Sequence, residues 1–183
     1  MKVIICGAGQ VGWQIARQLA GERNDVTVVD SNPQLIARIS DTLEVRGLVG
    51  YASYPDVLDR AGARDADMLI AATHSDEVNM VACQVAHSVF NVPRRIARIR
   101  AQSYLDPAYA DLYRRDQLPI DVVISPELEV AEAARVQPGA LEHLVDPVVG
   151  GVDVHVQPLR GDFGVEVALR VLPQGLDLGP ARR

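Results

Sequence analysis

Lysine is nearly missing from this chain: Lys2 is the one lysine among 18 basic side chains, and the rest are arginines. That absence removes the Tyr-x-x-x-Lys pair on which a short-chain dehydrogenase depends. Cysteine is scarce as well. Cys6 and Cys83 stand far apart within apolar segments, a pattern that fits buried free thiols in a reducing, cytoplasmic setting better than a disulfide framework. No hydrophobic run approaches the roughly 18 residues a membrane helix needs. The apolar stretch Val3–Cys6 is too short for a signal-peptide core. The expectation is therefore a chain with no membrane span of its own, reaching any membrane only through a partner. Positive charge is also in deficit, with a net charge of -6 and a pI near 5.2, which argues against nucleic acid as a partner. The four histidines, His74, His87, His143 and His155, show no metal-ligand spacing.

What is present is ordinary globular material: 183 residues, 48% hydrophobic and 23% charged, enough for one ample domain and short of two. Short apolar runs alternate with helical patterns, the signature of βαβ units on a parallel sheet. The reading gives strands at Lys2–Cys6, Val26–Asp30, Val45–Gly50, Asp67–Thr73, Arg95–Arg100 and Asp121–Ile124. Helices fall at Gln10–Ala20, from Ser31 or Asn32 with Pro33 in the first turn to about Asp41, from a Ser53 cap to near Gly62, at Asp76–Phe90, at Pro107–Tyr113 and at Glu127–Val136. For the longest helix the spacing selects Val78, Val81, Ala82, Val85 and Val89 as the buried stripe. Pro138-Gly139 stops the last one. Beyond it, Val152, Val154 and Val156, then Val165, Val167 and Leu169, alternate with polar residues as a strand pair would.

The strongest chemical signal is Gly7-Ala8-Gly9-Gln10-Val11-Gly12, which follows a strand and opens a helix as the dinucleotide fingerprint requires. Gly7 permits the tight turn, and Gly9 lets the backbone approach a pyrophosphate held by the free N–H groups at the helix start. Gly12 serves close helix–strand packing and is read as structural. Asp30, 18 residues after Gly12 at the end of the second strand, is placed to accept hydrogen bonds from the adenosine ribose. The same acid would repel a 2′-phosphate, so NAD (NAD+ or NADH) is expected over NADP(H), with other adenine nucleotides left open.

Ligands of parallel sheets bind outside the carboxyl ends of the strands. Thr73 and His74 end the fourth strand, where they either reach a ribose or phosphate or simply cap the next helix. Arg98 lies in a strand covered on both faces, which calls for a phosphate or carboxylate partner. Arg94, Arg95 and Arg100 read as a solvated edge, and Asp76, Glu77 and Asn79 as helix-start residues. No catalytic set accompanies this site, which suggests a sensor and no enzyme. A dehydrogenase-like domain lacking its substrate domain is the alternative.

Five blocks in order carry a resemblance: Gly7–Gly12, the strand ending in Asp30, Gly62–Leu69 (GARDADML), Thr73–Gln84 (THSDEVNMVACQ) and Arg95–Arg100 (RIARIR). Through Ile124–Glu127 and Pro138–Ala140 they resemble the RCK or KTN domain of the regulatory, peripheral subunit of bacterial Trk potassium uptake systems. The resemblance implies a six-stranded Rossmann-type doubly wound parallel sheet over 1–124 and a crossover helix over 125–137, and the alternation beyond gives a short β-rich tail over 138–183 as an incomplete or atypical second domain. It implies NAD(H) or adenine-nucleotide binding and homo-oligomers, dimers or larger rings. These would act on a membrane-embedded potassium-transporting subunit, at the cytoplasmic face. It places nucleotide contacts on Gly7, Ala8, Gly9, Gln10, Val11, Asp30, Thr73, His74 and Arg98, although a small polar residue is usual where His74 stands. Apolar Leu128, Val130, Ala131, Ala134 and Val136 suggest that the crossover helix pairs with a second copy. The tail after Ala140 departs from the family, and a truncated fragment, an altered reading frame and a genuine hairpin are the readings open for it.

Overall fold

The computed structural model describes residues 1–114 and 116–125 and, as backbone only, 148–149, 152–157 and 166–171. Six parallel strands form one sheet in the order β3-β2-β1-β4-β5-β6. They are β1 (Lys2–Cys6), β2 (Asp25–Asp30), β3 (Arg46–Val49), β4 (Met68–Ala71), β5 (Arg94–Arg98) and β6 (Val122–Ile124). The expected fold class, a doubly wound α/β sheet, is the observed one. Strand order reverses between β1 and β4, because the chain leaves the β3 edge and returns on the far side of β1. In such sheets that switch point is where ligands bind.

Alternation along the strands divides the interior into two cores. Val3 and Ile5 of β1, Val26 and Val28 of β2, and Met68 and Ile70 of β4 pack with Ile15, Ala16 and Leu19 of α1 (Gln10–Gly21) and Ile36 and Ile39 of α2 (Pro33–Thr42). Ile4, Cys6, Val29, Leu69 and Ala71 face the other way. They meet Val57, Leu58 and Ala61 of α3 (Pro55–Ala61) and Ala82, Cys83 and Ala86 of α4 (Asp76–Ser88). Burial on both faces explains why these strands read as continuous apolar runs.

Local chemistry sets the helix ends. Asn32 caps α2, its Oδ1 accepting from the N–H of Gln34 at 2.9 Å and of Leu35 at 3.4 Å, with Pro33 at a position whose missing donor is harmless. Gly62 ends α3 in the left-handed region at φ +94°. The Ser53 cap is not formed: α3 starts behind Tyr54, whose side chain makes no cap bond. Pro55 already supplies the fixed φ of the first turn.

Two packing expectations need correction. On α4 the buried positions are Asp76, Asn79, Met80, Ala82, Cys83 and Ala86, whereas Val81 and Val89 are exposed and Val78 and Val85 half-buried. Small residues are what let the helix lie close to the sheet, and the valines of the anticipated stripe flank that contact. Arg95 is no solvated edge either. It is 3% exposed, with Nε donating to the Pro119 carbonyl at 2.7 Å, Nη1 to the Val92 carbonyl at 2.5 Å and Nη2 to Asp121 Oδ1 at 3.0 Å. A guanidinium carries enough donors to satisfy all three in the interior.

After β5 come a short helix, α5 (Gln102–Leu105), and a 3-10 stretch at Pro107–Tyr113. The strand pair expected beyond residue 150 takes the form of an antiparallel ladder. In it β8 (Val152–Gln157) lies between β7 (Val148–Val149) and β9 (Glu166–Val171), with Val154 opposite Leu169 and Val156 opposite Val167. The crossover helix Glu127–Val136, the Pro138-Gly139 stop and their proposed contacts lie outside the described residues. No described helix is long and apolar enough to cross a membrane.

Both cysteines are free and buried. Burial pushes the Cys83 thiol up to about 12 and raises Cys6 too, by burial first and then by its neighbour Cys83. Since the thiolate is the reactive species, neither should react with an alkylating reagent at neutral pH until the fold opens. Thiol titration of the native chain should show labelling only at the rate of unfolding, and immediate labelling of either residue would contradict this packing.

Candidate nucleotide-binding site

The turn between β1 and α1 is made of contacts that tolerate no side chain. Gly7 sits at φ +106°, and a Cβ on it would stand 2.7 Å from the Ala72 carbonyl oxygen. Its N–H donates to the Val29 carbonyl at 2.7 Å, while the Ala72 N–H donates to the Cys6 carbonyl at 2.7 Å. The end of β1 is thereby tied to both neighbouring strands. Gly12, one turn into α1, is tighter still: a Cβ there would lie 1.8 Å from the Gly7 carbonyl oxygen. Its sequence assignment as the packing glycine is the geometry observed.

Gly9 is different. A Cβ on Gly9 would meet only His74 Nε2, at 3.8 Å, so the space over this residue is open and a side chain would fill it. Gly9 is also the N-cap of α1, with no side-chain cap bond and no acid in the first turn. The N–H groups of Gln10, Val11 and Gly12 precede the first intrahelical bond, from Trp13 N–H to the Gly9 carbonyl at 2.8 Å. Uncapped donors beside an open glycine, at the positive end of a helix dipole, form a cradle for an anion that approaches the backbone closely.

Asp30 stands across this cradle at the end of β2. Its Oδ2 accepts from the Ala8 N–H at 2.7 Å and its Oδ1 from the Asn32 N–H at 2.8 Å. The carboxylate thus fixes the glycine turn from outside as well as facing the ligand space. A carboxylate offers about four lone-pair sites, so two backbone donors leave room for the hydroxyls of a ribose.

The third side is the β4–α4 turn. Thr73 Oγ1 lies 2.7 Å from Asn79 Oδ1, and the Thr73 N–H donates to the same oxygen at 2.9 Å. Asn79 is fully buried, and its Nδ2 donates to the Arg98 carbonyl at 2.8 Å. One amide therefore joins the ends of β4 and β5. The α4 cap is Ser75, whose Oγ accepts from Val78 N–H at 3.3 Å, so neither Thr73 nor His74 performs that task. Thr73 braces the turn, and His74 is exposed. β4 ends at Ala71, two residues short of the sequence reading, which frees Thr73 and His74 to form this wall.

Gly7 to Val11, Asp30, Thr73 and His74 thus converge on the β1/β4 switch point. Arg98 is the last residue of β5, half-buried and opposite Ile124, on the same side of the sheet as Ile96 by alternation. Sequence reasoning missed Asn79 as a positioning residue and Asp76 as more than a helix-start charge. Asp76 is 6% exposed, accepts from the Arg100 and Ala101 N–H groups at 2.9 and 2.8 Å and faces the Arg100 guanidinium. A polar side chain in the first turn of a helix that follows a strand end was the available signal. It does not tell a residue that meets solvent from one that reaches back to the next strand.

A cavity of about 300 Å3 exists elsewhere, at the amino ends of β1 to β3, lined by Lys2, Asp25, Thr27, Arg46 and Asp65 among others. It lies on the opposite edge from the glycine turn and mixes acids with bases. Chemistry favours the glycine turn, where the uncapped backbone donors and the open Gly9 are.

With this geometry in view, comparison with known proteins gives the class first: the TrkA-N domain model matches residues 3–126. The chain belongs to the TrkA-N domain family. It is 64% identical over 132 residues to the Trk system potassium uptake protein TrkA of Azorhizobium caulinodans, covering 72% of this chain and 29% of that protein. To the protein of the same name from Halomonas elongata it is 50% identical over 147 residues, 79% of this chain and 32% of that one. The chain thus spans about three-tenths of the length of these relatives. Among solved structures, the TrkA-N domain of the inner membrane protein ybaL from Escherichia coli superposes with a TM-score of 0.63 at 18% identity, covering 73% of this chain and 93% of that one. The GsuK channel bound to NAD gives 0.63 at 17% identity, covering 84% and 27%. At such identities the likeness speaks for the fold.

The two glycines separate packing from binding. Gly12→Ala should destabilise the chain by about 2 kcal/mol or more, because the new methyl group collides with backbone, whereas Gly9→Ala should leave stability within about 0.5 kcal/mol. Urea unfolding followed by circular dichroism reads both, and equal losses would contradict the geometry of this turn.

Proposed function

We propose that this chain is an NAD(H)-binding regulatory module of a Trk-type potassium uptake system, with no chemistry of its own. The observation that carries the reading is the open Gly9 cradle at the uncapped start of α1, with Asp30 held across it by the Ala8 N–H. A dinucleotide would lay its pyrophosphate on the N–H groups from Gly9 to Val11 and its adenosine ribose against Asp30. Ala8 and Gly7 would shape the turn beneath it, and Thr73, His74 and Arg98 would line the far side. The potassium role rests on family membership and on the relatives named for it.

In this reading the whole regulatory protein is a cytoplasmic homo-oligomer seated on a membrane-embedded, ion-conducting partner. NAD+ and NADH, or another adenine nucleotide, would act by binding two conformations of that assembly unequally, since a ligand biases a switch only through differential affinity. GsuK bound to NAD and to ADP, and a Kef C-terminal domain with AMP, support a nucleotide of this class. The domain division at 124 and 137 is part of the same proposal.

Isothermal calorimetry with NAD+, NADH, NADP+, ATP and ADP tests it. NAD(H) should bind more tightly than NADP(H), because Asp30 opposes a 2′-phosphate. Asp30→Ala should weaken NAD(H) binding by about 1–3 kcal/mol, the usual scale for a hydrogen bond to a charged group, and Gly9→Val should abolish it in a folded chain. Failure of every nucleotide to bind would overturn the proposal. Steady turnover of nicotinamide with an added hydride donor or acceptor would replace it with the dehydrogenase reading.

A further inference from the structure

Position 74 carries an imidazole at the mouth of the phosphate cradle, and its Nε2 stands 3.8 Å from where a Gly9 side chain would begin. At the start of α1 the donors are backbone N–H groups with no acid in the first turn, and the Asp30 carboxylate across them is held by the Ala8 N–H. We propose that His74 is a proton-dependent ligand of the bound diphosphate, so that nucleotide occupancy at this site reports pH as well as nucleotide concentration. This rests on the nucleotide reading above and assigns that site a regulating variable.

The backbone at His74 is held independently of its ring. The carbonyl accepts from the Arg100 guanidinium, and that guanidinium also faces Asp76, Nε to Oδ1 at 3.7 Å. Side-chain substitution therefore changes the ring and leaves the turn in place. The charged groups around the ring are few. On its own turn, Glu77 is exposed and accepts from Ser75 Oγ at 2.7 Å. From β5 and the segment after it come Arg98 and Arg100, with Asp76 against the latter. From β2 comes Asp30, engaged with Ala8 across the cradle. Arg100 and Asp76 offset each other, which leaves the imidazole as the proton-accepting group beside Gly9.

The direction follows from linkage. Protonation adds a positive charge beside the diphosphate, so the complex holds that proton more tightly than the free chain does. The added affinity is complete at the acid end and fades as pH rises. The histidine at this position thus makes binding stronger on acidification.

ADP-ribose is the probe of choice, because its pyrophosphate is esterified at both ends and has no proton to exchange between about pH 6 and 8. Calorimetry of the wild-type chain should show ADP-ribose affinity falling about two- to fivefold between those pH values, the scale of one exposed charge contact. His74→Ser should bind at the weaker, alkaline level throughout, and His74→Arg should bind at the tighter level throughout. Adenosine, which lacks the diphosphate, should show no slope with any variant. Equal affinity of the wild-type chain at both pH values would overturn this inference and leave the nucleotide site standing. A slope that persists in His74→Ser would overturn it as well, by moving the titration to another group. Absence of ADP-ribose binding at either pH would overturn the nucleotide reading and this inference together.

Discussion

Helix α1 meets the end of β1 backbone against backbone, so closely that the Gly12 Cα leaves 1.8 Å between an added Cβ and the Gly7 carbonyl oxygen. The ligand side of the sheet depends on that contact. It aims the first turn of α1, with its uncapped N–H groups, into the crevice between β1 and β4, and it forces Gly7 into the left-handed region. Asp30 then locks the turn through the Ala8 N–H, while Ala72 and Val29 hold its base. A loop so constrained would already be shaped for the phosphate proposed to lie on it, and preorganised donors lose little freedom on binding.

The opposite wall is built on another economy, the single amide of Asn79. Its carbonyl oxygen meets Thr73 and its nitrogen meets the Arg98 carbonyl, so the ends of β4 and β5 move as one. Asp76 does the same for the segment after β5 by accepting from Arg100 and Ala101. Two buried polar residues in the first turn of α4 thus couple the mouth of the crevice to the β5 edge of the sheet. A nucleotide that pressed on Thr73 or His74 would be felt there, which is the kind of rigid connection a sensor needs to pass a signal beyond its own site.

The sheet was legible because its strands are buried on both faces: Val3–Cys6 and Met68–Ala71 read as apolar runs for that reason. The glycine turn and Asp30 were legible because Gly7 and Gly12 stand where backbone leaves no room for a side chain, and the structure puts the turn and Asp30 together as the spacing implied. The face of α4 was not. Its valines outline a helical stripe of the right period, yet the sheet takes the side with Ala82, Cys83 and Ala86, since close approach favours small side chains over more apolar ones. Arg95 was misread for a related reason: a strand-end arginine looks solvated unless one knows that Asp121 and two carbonyls converge on it. Such partners are distant in sequence, and no local pattern announces them. Asn79 escaped notice in the same way.

The central claim is that a dinucleotide lies on the α1 start between Gly9 and Asp30. Its most direct measurement is the backbone amide spectrum of the isotopically labelled chain during titration with NADH. The account expects the largest shifts at Ala8 to Gly12, at Asp30 to Asn32 and at Thr73 to Ser75, with Lys2, Asp25 and Arg46 at the opposite edge unmoved. Shifts concentrated instead on those three residues, around the cavity at the amino ends of the strands, would contradict it.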